Sequence, residues 1–144
     1  MAVDPSFDKL NRESTARIRA LGRLTDDELQ RKVGEHWTVA IALVHLAFWD
    51  WRVLDLLDRT EQAGELVAPE IDVVVNDLSL PIWAAVPPRD AVRFAVEAAE
   101  VVDQRLAAFA PALLEEMNGR YVRWVVRALH RNEHLDEIDA ALAR

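Results

Sequence analysis

The chain contains no cysteine. That excludes disulfides, iron–sulfur clusters, thiolate-bound zinc and a cysteine nucleophile together, so any thiol chemistry must draw its sulfur from a second molecule. No run of about 18 apolar residues is present, and no membrane span is expected. The start, Met1-Ala2-Val3-Asp4-Pro5, has neither the basic flank nor the apolar stretch of a secretory signal. A cytoplasmic location is the expectation. Basic excess is missing as well: 17 Lys and Arg stand against 25 Asp and Glu, a formal net charge of -8. Nucleic-acid phosphates want the opposite balance. There is no internal repeat, no low-complexity tract and no Gly-rich phosphate loop.

What is present is a chain of 144 residues, 51% of them hydrophobic. That suits one globular domain, residues 1–144, with a single core. Asp4-Pro5 resembles a helix cap with proline at the first helical position. A first long helix is predicted to about Leu21, with Phe7, Leu10, Ile18 and Leu21 inward and Gly22 ending it. Thr25-Asp26-Asp27-Glu28 has capping-box spacing and predicts a short connecting helix ending near Gly34. Thr38 is the predicted cap of a second long helix to about Arg59. Its buried stripe is Val39, Ala42, Leu46, Trp49, Val53 and Leu56.

From Thr60 to Pro88 the periodicity breaks around Gly64, Pro69, Pro81, Pro87 and Pro88. Residues Ile71 to Val75 are read as a helical turn or an extended crossover, because a lone strand would have no partner. A third long helix is predicted from Pro88 to about Phe109, with Ala91, Phe94, Ala98, Val101, Val102, Leu106 and Phe109 inward. A fourth is predicted from near Tyr121 almost to the C-terminus. Four long helices imply an all-α four-helix bundle with a long crossover between the second and third. That crossover is long enough for the second and third helices to run parallel. The short link after the third predicts an antiparallel fourth.

The chemistry-bearing residues are histidines. His130 and His134 form an H-x3-H pair, which puts both imidazoles on one helix face, a turn apart. His45 borders the buried stripe of the second long helix. A third imidazole from a neighbouring helix would complete a facial set of three ligands with an open position, the pattern of a catalytic rather than a structural metal site. His36 precedes a helix cap and is read as a solvent contact or backbone cap. Residues 130–134 also spell H-x-x-E-H, but that peptidase pattern needs a larger scaffold and a downstream acidic ligand. Glu133, Asp50 and Glu137 are unranked candidates for the carboxylate that orients a metal-bound imidazole. Trp49, Trp51, Trp83 and Trp124 are candidate pocket walls, with Trp49 one turn from His45. Arg52 and Arg127 are candidate contacts for an anionic substrate group.

Trp37-Thr38-Val39 ahead of a helix carrying His45-Leu46-Ala47, followed by Arg127-Ala128-Leu129-His130-Arg131-Asn132-Glu133-His134-Leu135, resembles the DinB-like superfamily. It resembles in particular the branch related to the metal-binding domain of mycothiol-dependent maleylpyruvate isomerases. The resemblance covers essentially the whole chain. It implies a bundle with a crossover and a divalent metal, zinc or nickel foremost, held by His45, His130 and His134. It also implies thiol-dependent S-transfer or isomerisation of a small electrophilic substrate, with an external thiol such as mycothiol or bacillithiol. A homodimer is compatible with it. A metal-dependent small-molecule hydrolase and a non-catalytic metal- or ligand-binding stress protein are the alternatives.

Overall fold

The computed structural model describes residues 3–144; Met1 and Ala2 of the N-terminal reading lie outside the described residues. Helix α1 (Ser6–Ala20) starts where the Asp4 carboxylate accepts the Ser6 backbone N–H at 2.9 Å. It runs into a 3-10 turn, Leu21–Arg23. The expected capping box is present: the Thr25 hydroxyl accepts the Glu28 N–H and Glu28 returns the contact, opening the one-turn α2 (Asp26–Leu29).

Beyond α2 the expected continuous connector gives way to a small antiparallel hairpin, β1 (Lys32–Val33) and β2 (Trp37–Thr38), with Val33 opposite Trp37. Gly34 sits at its tip with φ 72°, a conformation that a side chain would strain. The hairpin hands the chain to α3 (Val39–Ala63), whose first turn is capped by Thr38 Oγ1 accepting from Ile41 N at 3.1 Å. Helix α3 outruns its predicted end by a turn, because Thr60 is buried and Gly64, at φ 71°, supplies the left-handed terminus.

The crossover is irregular until α4 (Val75–Leu78) and α5 (Leu80–Ala84), so the helical-turn reading of the valine-rich segment holds. Helix α6 (Pro88–Ala108) follows. The link after it is longer than expected and carries α7 (Pro111–Arg120) and α8 (Val122–Val125). Pro111 is the first residue of α7, where its fixed φ suits a helix start. The predicted fourth helix is broken at Val126-Arg127, and its long part is α9 (Ala128–Leu142). The break is pinned by buried Asn11, whose Nδ2 donates to Val125 O and whose Oδ1 accepts from Ala128 N, both at 2.9 Å.

The fold is all-α apart from the hairpin. Helix α3 packs chiefly on α6, α6 on α1, α1 on α9, and α9 back on α3. Side-chain pairs set the directions. Trp51 meets Phe94 and Asp58 meets Arg105, so α3 and α6 run parallel, as the long crossover allows. Thr15 meets Asp103 and Arg19 meets Glu100, so α1 opposes α6. Asn11 meets Ala128 while Arg17 meets Asp139, so α9 runs with α1 and against α3 and α6.

The core forms two apolar clusters, one around Ile18, Leu43, Leu46 and Ile138 and the other around Phe7, Leu57, Leu106 and Val125. Burying each such side chain contributes roughly 1.5–3 kcal/mol. Between them each of the four long helices contributes polar residues at one level: Asn11, Ser14 and Thr15 from α1, Asp50 from α3, Asp103 from α6 and Arg131 from α9. This layer is why Leu10 and Val101, placed inward by hydrophobicity, are exposed while Asn11 and Asp103 are buried. Among the described residues no helix is long and apolar enough to cross a membrane.

Candidate metal centre

Helix α3 carries His45 at its second turn, and α9 carries His130 and His134 one turn apart. Because α3 and α9 are antiparallel neighbours, the three rings meet. Their ligand-capable nitrogens lie within 4.8 Å of one another. His45 is buried and the other two are half-buried. Ring centroids are 5.1 Å apart for His45 and His130, 4.6 Å for His45 and His134, and 4.9 Å for His130 and His134.

The protonation pattern follows from the partners. Arg127 Nη2 faces His130 Nδ1 at 3.3 Å. A guanidinium only donates, so this nitrogen accepts, and the neutral ring carries its proton on Nε2. His130 Nε2 then donates to His45 Nε2, 3.1 Å away. The His45 proton is left on Nδ1, which is buried without a hydrogen-bond partner. Burial, and then the neighbouring His134, push the His45 pKa down to about 3, while the Asn76 side chain opposes the shift without reaching normal hydrogen-bond geometry at Nδ1. Burial, and then Arg127 and His45, push His130 down to about 2. Burial also lowers His134, against Glu137 and Glu133. The rings are therefore neutral at pH 7, the form in which imidazole binds a metal.

The donor set fits a divalent cation. Metal–nitrogen bonds of about 2.05 Å place tetrahedral ligand atoms about 3.4 Å apart; His45 Nε2 and His130 Nε2 are 3.1 Å apart, and a His134 nitrogen lies within 4.8 Å of both rings' ligand atoms. Such an ion would take the place of the proton shared by His45 and His130. Of the three carboxylate candidates, Glu137 is the one at an imidazole: its Oε1 lies 3.3 Å from His134 Nδ1, an ion-pair contact without hydrogen-bond alignment. Glu133 instead grips Arg123 through both oxygens, at 2.7 and 2.9 Å. Asp50 is fully buried and holds Arg127 Nε at 2.8 Å and Arg131 Nε at 3.1 Å. His36 is exposed beside Glu35, away from the cluster.

The imidazoles form part of the wall of a cavity of about 600 Å³. Trp49 is there, edge-on to His45 at 6.3 Å, its Nε1 donating to Asn76 Oδ1 at 2.9 Å. The ring most nearly over the site is Trp37, 4.6 Å from His45 and 5.6 Å from His134. Sequence reasoning gave Trp37 no pocket role, since it lies on a hairpin strand that two residues of pattern do not reveal. Buried Trp83 packs edge-on to His45 at 5.6 Å from behind. Trp124 lines the far wall, while Trp51 is exposed and pairs with Phe94. Arg127 is buried and committed to Asp50, and Arg52 lines the cavity.

Fold and site together define an all-helical protein with a three-histidine cluster of metal-ligand type. Neither family models, curated proteins nor solved structures gave a match to this chain.

Proposed function

We propose that this chain is a metal-dependent enzyme of the DinB-like type, a four-helix bundle that carries out S-transfer or isomerisation on a small electrophilic molecule with an external low-molecular-weight thiol. The observation that carries the reading is the convergence of His45, His130 and His134 on one wall of a cavity of about 600 Å³. That volume suits a small-molecule site, which typically spans roughly 300–1,000 Å³. The ring of α1, α3, α6 and α9, with its parallel α3–α6 crossover, supports the bundle assignment. The absence of cysteine supports an external sulfur.

His45, His130 and His134 would hold the ion, zinc or nickel foremost, and Glu137 would orient His134. When bound, such a cation supplies positive charge at an open position, which favours the thiolate form of an arriving thiol. The remaining work belongs to the chain. Trp37 and Trp49 form apolar walls that exclude water and restrict how the electrophile lies. Asn76 fixes Trp49 and ties the crossover to α3.

Elemental analysis of tag-free protein tests the first half: native protein retains zinc or nickel, and His130→Ala is depleted. The second half is tested by titrating cobalt-loaded protein with mycothiol, bacillithiol and simple thiols. A sulfur-to-cobalt charge-transfer band supports S-transfer. No band with any thiol, together with heavy oxygen from water appearing in a product, assigns the site to hydrolysis instead.

A further inference from the structure

The cavity is lined by three arginines, Arg52, Arg123 and Arg127, and by one carboxylate, the exposed Glu70, in a protein whose net charge is -8. Two of the arginines are neutralised from outside the cavity: Arg123 by the two-oxygen grip of Glu133, and Arg127 by buried Asp50. Arg52 is different. Its Nη2 donates to Pro69 O, which holds the crossover against α3. Its Nη1 is screened from water and meets no acceptor. Among the described residues no carboxylate lies within ion-pair distance of it; Asp55 acts on it only through its field, opposed by Arg59. The guanidinium carbon stands 5.6 Å from the centre of the Trp124 ring, which itself stacks on Tyr121. A half-buried cation without a counter-ion is costly to keep, and a pocket is where a ligand's charge supplies the missing partner.

The register of α3 says how far that partner lies from the histidines. His45, Trp49 and Arg52 are spaced i, i+4, i+7 and share one face of the helix. Seven residues rise about 10 Å along the axis. The cavity thus has an imidazole cluster at one end, tryptophans along its middle and an unpaired guanidinium about two turns away.

We infer that Arg52 is an anion-binding residue of this cavity, and that its ligand is an elongated molecule with an apolar middle and a carboxylate or similar anionic end about 10 Å from the group held at the histidines. This rests on the proposed function for what happens at the histidine end but not for binding at the Arg52 end. The carboxylate belongs either to the thiol or to the electrophile, and the two are separable by experiment.

Octanoate and octanol, of matched length, are the probes. Binding to chelator-stripped protein is followed by tryptophan fluorescence and calorimetry. Octanoate binds about tenfold or more tightly than octanol, as expected for one charge-assisted contact. Arg52→Gln removes that preference, and Arg52→Lys keeps part of it. Because Arg52 also holds Pro69, the readout is the octanoate-to-octanol ratio within each variant, which loosening of the crossover does not move by itself. A ratio near one in the native protein, or an unchanged ratio in Arg52→Gln, overturns the inference. Metal content measured on the Arg52→Gln protein before stripping separates the two readings: it is native-like if the histidine site stands, whatever the carboxylate result.

In a second arm, 8-mercaptooctanoate and octanoate are compared on metal-loaded protein. Tighter binding of the thiol acid, lost in Arg52→Gln, places the anion on the thiol. Equal binding of the two acids, again weakened in Arg52→Gln, places it on the electrophile. Mercaptooctanoate binding that is indifferent to Arg52→Gln overturns the assignment.

Discussion

Two polar clusters lie side by side in this protein, and helices α3 and α9 contribute to both. In one, Asp50 and Asp103 face Arg127 and Arg131. Arg131, fully buried, reaches Asp50, Asp103, Ser14, Thr15 and the Asn11 carbonyl. Burial pushes the Asp103 carboxyl up and the Arg131 charge pulls it back down. Each charge there has a counter-charge within the layer. In the other cluster, three imidazoles crowd together with one carboxylate, Glu137, at their edge, and His45 Nδ1 has no partner at all. Buried polar groups are ordinarily satisfied within the protein, and exceptions call for a reason. The complete network serves the fold, while the incomplete one has room for something from outside. Arg127 joins them, donating to Asp50 on one side and facing His130 on the other.

Removing Asp50 is the largest test of this contrast. Asp50→Ala leaves buried Arg127 without a counter-charge and Arg131 with Asp103 alone, and breaking a buried pair from one side costs about 3–5 kcal/mol. Chemical denaturation should show that loss, or no folded protein at all. The matching change in the other cluster behaves oppositely. His130→Ala should leave unfolding within about 1 kcal/mol of native, since a half-buried ring without a counter-charge gives the fold little. It should weaken zinc binding at least ~100-fold in competition with a chelator, beyond the loss typical of an orienting partner. A His130→Ala protein that unfolds as readily as Asp50→Ala would erase the distinction between the clusters.

The contrast also explains what was legible in the sequence. The histidine cluster was legible because H-x3-H is a local pattern and His45 lies beside a periodic apolar stripe. The length of the crossover allowed the parallel α3–α6 arrangement without deciding it. The polar layer was not legible. Hydrophobic periodicity nominated Leu10 and Val101, yet Asn11 and Asp103 are the buried neighbours, because each is satisfied only by residues far along the chain, Asn11 at Val125 and Ala128 and Asp103 at Arg131. The break before α9 was missed for the same reason. Nothing local distinguishes Val126-Arg127 from a helix interior, and Asn11 stabilises the break from the other end of the sequence. Trp37 owes its place over His45 to a hairpin of two-residue strands, too short to leave an alternating pattern.

Acid should separate the clusters next. Unfolded histidines take a proton near 6.5, whereas burial holds folded His45 and His130 down to about 3 and about 2. Between those limits the unfolded chain binds more protons, so the stability from these rings is complete above 6.5 and falls as pH drops towards the folded values. The slope is ~1.4 kcal/mol per pH unit for each ring. Urea denaturation of metal-free protein should therefore lose ~3 kcal/mol between pH 7.5 and 5.5. The His45→Ala/His130→Ala double variant should lose much less over the same range. An equal loss in both proteins would trace the acid sensitivity to other groups.

The smallest effect is expected at Glu137, and it is the sharpest about the role of the incomplete cluster. Its carboxylate is more than half exposed, so its contact with His134 adds little to folding. Glu137→Gln keeps an acceptor oxygen and removes the charge. Stability should stay within about 0.5 kcal/mol of native. If Glu137 fixes the tautomer that leaves His134 Nε2 free, zinc affinity should fall by about tenfold, and Glu137→Ala should cost more than Glu137→Gln. Equal affinity in all three proteins would reduce the contact to a surface ion pair on α9. Solvent would then orient His134, and the cluster would have no built support beyond the two rings that face each other.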